Sequence, residues 1–257
     1  MEFLNSLPTW LLTTYFFIFG LAIGSFCNVC IYRLPREESI VFPSSHCVAC
    51  KNKISWRDNV PLLGYLALLG KCRKCGSKIS VIYPIVELIN GILVAGVYLK
   101  FGLSWETMIF LIVVPTLVVI TIIDWQHQII PDVITLPGIL FGFVAGTYMN
   151  GLLPSLIGFL VGGGLFYLIA VLSGGKGMGG GDIKYMAAAG ALLAWKKTLL
   201  IIFSGSLLGT IYGLPLVLLG KKGRKSKVPF GPFLAGATLI AIFSGDQLIW
   251  LYLNSMT

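Results

Sequence analysis

Leu11-Leu-Thr-Thr-Tyr-Phe-Phe-Ile-Phe-Gly-Leu-Ala-Ile-Gly-Ser-Phe-Cys-Asn-Val-Cys-Ile-Tyr32 runs for 22 residues without a charged side chain. At 1.5 Å of rise per residue, a helix of this length crosses the roughly 30 Å hydrocarbon core of a bilayer. The run has neither a basic start nor a small-residue cleavage site, so it reads as a retained span rather than a signal peptide. Further apolar runs follow at 83–99, 108–123, 133–149, 152–172, 185–195, 198–219 and 233–253. In lipid only hydrogen bonds within a segment or a closed barrel satisfy the backbone, and runs of this length select helix. The sequence therefore predicts an all-α polytopic membrane protein with about eight transmembrane helices. A composition of 56% hydrophobic and 11% charged residues places the chain outside the soluble range.

Basic residues fix the expected orientation, because cytoplasmic loops carry their excess. With the N-terminus outside, the segments at 33–80, 174–184 and 220–227 face inward and hold 16 of the 19 lysines and arginines. Only Lys100, Lys196 and Lys197 remain outside. The net charge of +9 is then a topology signal that also favours anionic inner-leaflet lipid. No basic surface interleaved with aromatics points to nucleic acid. Three parts follow: a first helix at 1–32, a small cytoplasmic insert at 33–80, and a seven-helix membrane domain at 81–257.

The insert carries Cys47-Val-Ala-Cys50 and Cys72-Arg-Lys-Cys75. Two CxxC pairs in a reducing compartment deliver four thiolates to a tetrahedral Zn2+, whereas disulfides are disfavoured there. Four sulfurs close the coordination sphere, so the expected zinc is structural and contributes folding free energy to an insert too polar to build a core. His46 is a spare ligand candidate. Cys27 and Cys30 share one face of the first span and read as small packing residues. Gly158 and Gly162 form a GxxxG suited to close helix packing.

Ionisable groups within membrane segments call for an explanation. Asp124 closes the third span in Thr121-Ile-Ile-Asp124, and Asp182 closes the glycine-rich loop 174–182 before the sixth. The expected topology brings both to the cytoplasmic edge. Two carboxylates there suit peptide hydrolysis, one taking a proton from water while the other donates to the substrate carbonyl. Structural readings stand beside this one: Asp182 as a helix cap, Asp124 as a partner of Lys184, and Asp132 as an N-cap after Pro131. Glu87 is a candidate cavity or packing residue, and His127 lies close to Asp124 in sequence. A proton-coupled transporter would use the same carboxylates as a relay, with acids nearer the bilayer midplane.

Taken together, several segments resemble the bacterial type IV prepilin peptidase family of GxGD-type membrane aspartyl proteases. They are Gly24-Ser-Phe-Cys-Asn-Val-Cys-Ile-Tyr-Arg-Leu-Pro35, the cysteine tetrad, Asn59-Val-Pro-Leu-Leu63, Gly70-Lys-Cys-Arg-Lys-Cys75, Tyr83-Pro-Ile-Val-Glu87, Asp124 with Pro131-Asp132, Gly179-Gly-Gly-Asp182-Ile-Lys184 and Phe230-Gly-Pro-Phe233. Ile82 stands where arginine is common in that family. The resemblance implies that Asp124 and Asp182 cut the leader of prepilins or pseudopilins at the cytoplasmic face of the inner membrane. It also implies N-methylation of the new N-terminus with S-adenosylmethionine. No glycine-rich dinucleotide fingerprint marks a pocket for that cofactor. Gly24, Asn28 and Arg33, at the inner end of the first span, are its candidate lining.

Overall fold

The computed structural model describes residues 7–175, 177–219 and 228–255. Lys176, Lys221, Lys222, Arg224, Lys225 and Lys227, part of the inward-facing basic set, lie outside these residues. The helices are α1 (Thr9–Arg33), α2 (Leu63–Ala67), α3 (Ile82–Phe101), α4 (Trp105–His127), α5 (Asp132–Asn150), α6 (Leu152–Phe159), α7 (Leu165–Leu172), α8 (Gly180–Leu218) and α9 (Gly231–Asn254). One π-turn, Leu160–Gly164, fuses α6 and α7 into a single span. Among the described residues seven helical stretches are long and apolar enough to cross a bilayer, and the chain is a multi-pass membrane protein.

The longest stretch, α8, has 39 residues but does not run straight. Ala194 sits at φ 61°, ψ 168°, outside the helical region. Met186 and Thr198 would stand about 18 Å apart in one continuous helix. Both instead lie against Gly162, so the chain reverses at Ala194 and α8 is a helical hairpin. Counting its two arms separately gives the eight helices expected from the sequence, with the turn falling where the runs 185–195 and 198–219 meet.

The chain divides into two compact units, 1–119 and 120–257. In the first, α1 packs along α3. Between helices in lipid there is little hydrophobic drive, so close backbone approach and van der Waals contact hold the pair. Gly20 and Gly24 make that approach: a Cβ on Gly20 would lie 2.6 Å from the Asn90 carbonyl oxygen, and one on Gly24 2.7 Å from the Glu87 Cα. Farther along, Leu12, Phe16, Val94 and Tyr98 form a buried cluster in which the Phe16 and Tyr98 rings stack at 4.7 Å. Cys27 and Cys30 are buried, and the Cys27 thiol approaches the Pro115 carbonyl at 3.9 Å.

In the second unit the first arm of α8 is enclosed by α5 and α6. A Cβ on Gly146 would lie 2.0 Å from the Ala191 carbonyl oxygen, and one on Gly158 2.1 Å from that of Gly190. Gly162 meets the Met186 carbonyl in the same way, so the Gly158–Gly162 pair seats one helix on another as its spacing suggests. The second arm of α8 packs on α9, with Gly205 against Leu234 and Lys197 paired with Asp246 at 2.9 Å.

These contacts leave no room for a methyl group at Gly158, whereas Gly164 faces open space. Gly158→Ala should therefore destabilise the protein by about 1–3 kcal/mol. Thermal unfolding in detergent should show a clear loss for Gly158→Ala and none for Gly164→Ala.

Candidate active site

Asp124 lies in the last turn of α4 and its side chain is only 5% exposed. A buried carboxylate needs donors, and the start of α9 supplies one. The first N–H groups of a helix have no partner within it. The Gly231 N–H donates to Asp124 Oδ2 at 2.9 Å. The flanking rings hold this helix start in place, Phe230 stacking on Phe166 and Phe233 packing on Tyr212, which also meets Trp125 beside Asp124. Position 231 must be glycine for this contact, because a Cβ there would stand 2.8 Å from Oδ2.

Asp182 occupies the third position of α8, after the N-cap Gly179. Its carboxylate turns back toward the Gly179 N–H, in the manner of the acidic half of a capping box. Gly181 packs on Ile130, where a Cβ would come within 2.9 Å, and Gly180 faces open space. The half-buried Asp182 lies close enough to Asp124 for their charges to interact. Carboxylates 58 positions apart in sequence thus come within range of each other's charge, and each faces a backbone N–H at a helix start.

Two structural readings of the neighbouring residues change. Asp132 is not an N-cap: Pro131 holds that position, and both Asp132 oxygens accept from Lys184 Nζ at 2.7 Å. That ion pair takes the lysine expected as a partner for Asp124 and ties the start of α8 to that of α5. His127 is exposed on the final turn of α4. The part played by Gly231 is invisible in the sequence reading, because a backbone donor carries no residue signature; only Phe230-Gly-Pro-Phe233 as a motif hinted at it.

In the first unit, the four cysteine sulfurs lie within 4.8 Å of one another, a cluster suited to a metal ion. The Cys47 and Cys75 sulfurs are 3.9 Å apart, close to the roughly 3.8 Å edge of a tetrahedron built on Zn–S bonds of about 2.3 Å. The two halves repeat one local geometry. Cys47 N–H donates to the Asn52 carbonyl and Cys72 N–H to that of Ser77, with Lys51 and Gly76 at positive φ directly after each CxxC. Such knuckles aim N–H groups at sulfur. The Cys50 N–H and the Ser77 hydroxyl pull the Cys47 thiol down to about 6, and Ser77 lowers Cys75 as well. Thiolates are the form that binds metal. His46 contacts the Ser44 carbonyl and stands outside the sulfur cluster. Arg73, between the last two cysteines, grips Asp58 with two nitrogens and holds its carboxyl below the usual range.

Beside this cluster a cavity of about 520 Å3 is lined by Asn28, Tyr32 and Arg33 of α1, by Tyr83 and Glu87 of α3, and by the insert. Asn28 donates to the Tyr83 carbonyl at 3.0 Å. Arg33 is buried and clamps the loop after α1 through the Ser39 and Pro43 carbonyls. Glu87 Oε2 accepts from the Leu62 N–H at 2.8 Å and its carboxylate also meets the Ser25 hydroxyl. Gly24 is not part of the lining; it serves the α1–α3 contact.

Residues 18–101 match the bacterial peptidase A24 N-terminal domain, and residues 109–214 match the type IV leader peptidase family. Over its full length the chain is 34% identical to the prepilin leader peptidase/N-methyltransferase of Aeromonas salmonicida, covering 98% of that protein. It is 34% identical to the protein of that name in Pseudomonas aeruginosa, with 92% of each chain covered. For the Bacillus subtilis protein of that name the identity is 33%, over 93% of this chain and 96% of the relative. No solved structure matches the chain. The chain belongs to the type IV prepilin leader peptidase family of membrane aspartic peptidases.

The sulfur geometry predicts about one Zn2+ per purified chain by elemental analysis. Cys47→Ser with Cys72→Ser should empty the site and expose the insert to limited proteolysis, while the helical signal of the membrane spans persists.

Proposed function

We infer that this chain cuts the leader from type IV prepilins or pseudopilins with Asp124 and Asp182, at the cytoplasmic face of the inner membrane. The observation that carries this reading is the convergence of the two carboxylates at two helix starts, in a chain of this family. Carboxylates whose charges interact titrate as a pair, each being harder to ionise once the other is charged. The ionised member accepts a proton from the attacking water, and the protonated member donates to the scissile carbonyl and then to the leaving amine. Gly180, open to its surroundings, lets a substrate strand approach the backbone beside Asp182. The transporter reading loses its support, since the relatives are named as peptidases.

The orientation rests on the basic residues, which gather at the insert and at the loops flanking α8. The first arm of α8, Gly180 to Leu193, spans about 21 Å of a core about 30 Å thick. Asp182 therefore sits below the membrane surface in a water-accessible recess, where irregular backbone is tolerated.

The names of the relatives also support a second activity, N-methylation of the newly exposed terminus. S-adenosylmethionine would supply the methyl group to the new terminal amine. Gly24, Asn28 and Arg33 were the sequence candidates for its site, and Asn28 and Arg33 line the cavity of the first unit. Cys47, Cys50, Cys72 and Cys75 would hold a Zn2+ whose binding would supply folding free energy to the 33–80 insert.

Asp124→Asn and Asp182→Asn keep the side chain's size but cannot carry the transferred proton, so each should lower leader cleavage by at least about 10^2 to 10^4. Gly231→Ala should displace Asp124 and cost about 10^2 in kcat, since a shift near 1 Å is that damaging. A purified precursor assay read by mass spectrometry of the new N-terminus checks all three. Near-normal cleavage by either asparagine variant overturns the aspartyl mechanism. A pre-cut peptide with a free N-terminus should still be methylated by both.

A further inference from the structure

Within the polar insert one stretch is out of character. Val60-Pro-Leu-Leu-Gly-Tyr-Leu-Ala-Leu-Leu-Gly70 runs for 11 residues without a charged side chain, between Asp58-Asn59 and Lys71. A run of this length is too short to cross a bilayer and suits an interfacial or re-entrant segment. We propose that this lobe is a membrane anchor, which lays Leu63, Leu66 and Leu69 into the phospholipid leaflet on the insert's own side of the bilayer.

The fold of the lobe decides which side chains are left bare. Helix α2 packs on the turn at 56–59, with Gly64 pressed against the Asp58 carbonyl. Tyr65 and Leu68 turn inward to line the cavity of the insert, and the Tyr65 ring covers Gly70. The other side is uncovered: Leu63 and Leu66 are each 65% exposed and Leu69 86%. Trp56, in the turn that α2 packs on, is 75% exposed with the Arg57 guanidinium over its ring. Large apolar side chains bared so close together mark a membrane or partner surface.

Depth selects the membrane. The 20 residues of α3 make about 30 Å of helix, which just matches the hydrocarbon core. Its start at Ile82 therefore stands at the boundary, with Glu87 about 7 Å farther in. The Leu62 N–H donates to Glu87 Oε2 at 2.8 Å, so the residue directly before α2 is tied near that level. It sits slightly shallower, because a helical side chain leans toward the start of its helix. An apolar face held there meets the headgroups and the upper acyl chains, where amphipathic elements sink about 5–10 Å.

Charge points the same way. The insert, 33–80, holds nine lysines and arginines against three acidic residues, and Arg57 and Lys71 bracket the lobe. Basic groups beside an apolar face suit phosphate headgroups, and tryptophan favours that same depth. A protein partner would not require this match of depth and charge.

The test uses the full-length wild-type protein in vesicles of phosphatidylethanolamine and phosphatidylglycerol, doped with a phospholipid that carries a diazirine near the top of one acyl chain. Trypsin cuts after Arg57 and Lys71 and releases 58–71 as one peptide. Irradiation should place lipid adducts on that peptide, as on peptides from the spans. Leu66→Glu with Leu69→Glu should cut the adducts on 58–71 at least about fivefold, since carboxylates stay in water, while those on the spans persist. A wild-type 58–71 peptide without adducts, in a protein whose spans are labelled, places the lobe against water or protein and overturns the assignment. Equal labelling of wild type and double variant overturns it as well, because the leucines then do not hold the lobe in lipid.

Discussion

Backbone against backbone is the contact on which the second half of this protein depends. Gly158 and Gly190 meet with no side chain between them, Gly146 meets Ala191, and Gly162 meets Met186. Lipid tails are as apolar as leucine, so burying leucine gains little between membrane helices, and proximity has to come from small residues. These contacts seat the first arm of α8. Everything at Asp182 follows from that seat, because the aspartate is the third residue of the same helix.

The two aspartates are then held in a manner that suits acid–base work. A lysine or arginine beside either one would hold it ionised. Lys184 is the cation nearest in sequence to Asp182, and it binds Asp132 with both oxygens instead. Backbone N–H groups take the place of cations: Gly231 for Asp124 and Gly179 for Asp182. Such donors fix orientation, bring no full charge, and sit at helix starts where they would otherwise lack partners. The glycine demanded at 231 and the flanking aromatic contacts make the start of α9 as much a part of the site as the carboxylates.

The sequence displayed some of this and hid the rest for physical reasons. Spans are legible because bilayer thickness sets a length, and even the α8 hairpin was visible as two runs separated by Lys196 and Lys197. The cysteine tetrad is legible because metal coordination demands fixed spacing. Gly20-Leu-Ala-Ile-Gly24 is a GxxxG like the one at Gly158, and that spacing marks the helix contact in which Gly24 lies. Asp132 reads as a cap because a proline precedes it, whereas its partner Lys184 lies 52 positions away. Gly231 and the Glu87–Leu62 contact were out of reach, since both are backbone donors meeting a distant carboxylate.

A division of labour follows from where the chemistry falls along the chain. The carboxylate pair is contained in 120–257, and the cavity and the sulfur cluster in 1–119. Peptide hydrolysis needs two acids and water, which a packed helical unit with a recess can supply alone. A polar cavity needs polar walls on several sides, and helices built to face lipid have few polar side chains to spare. The insert lines such a cavity, and its four sulfurs lie close enough together to bind a metal, which would add folding free energy to a segment too short to build a sufficient core. Cys47 and Cys72 line the same cavity as Asn28 of α1 and Tyr83 and Glu87 of α3, so a metal on the tetrad would stiffen the wall that the insert contributes.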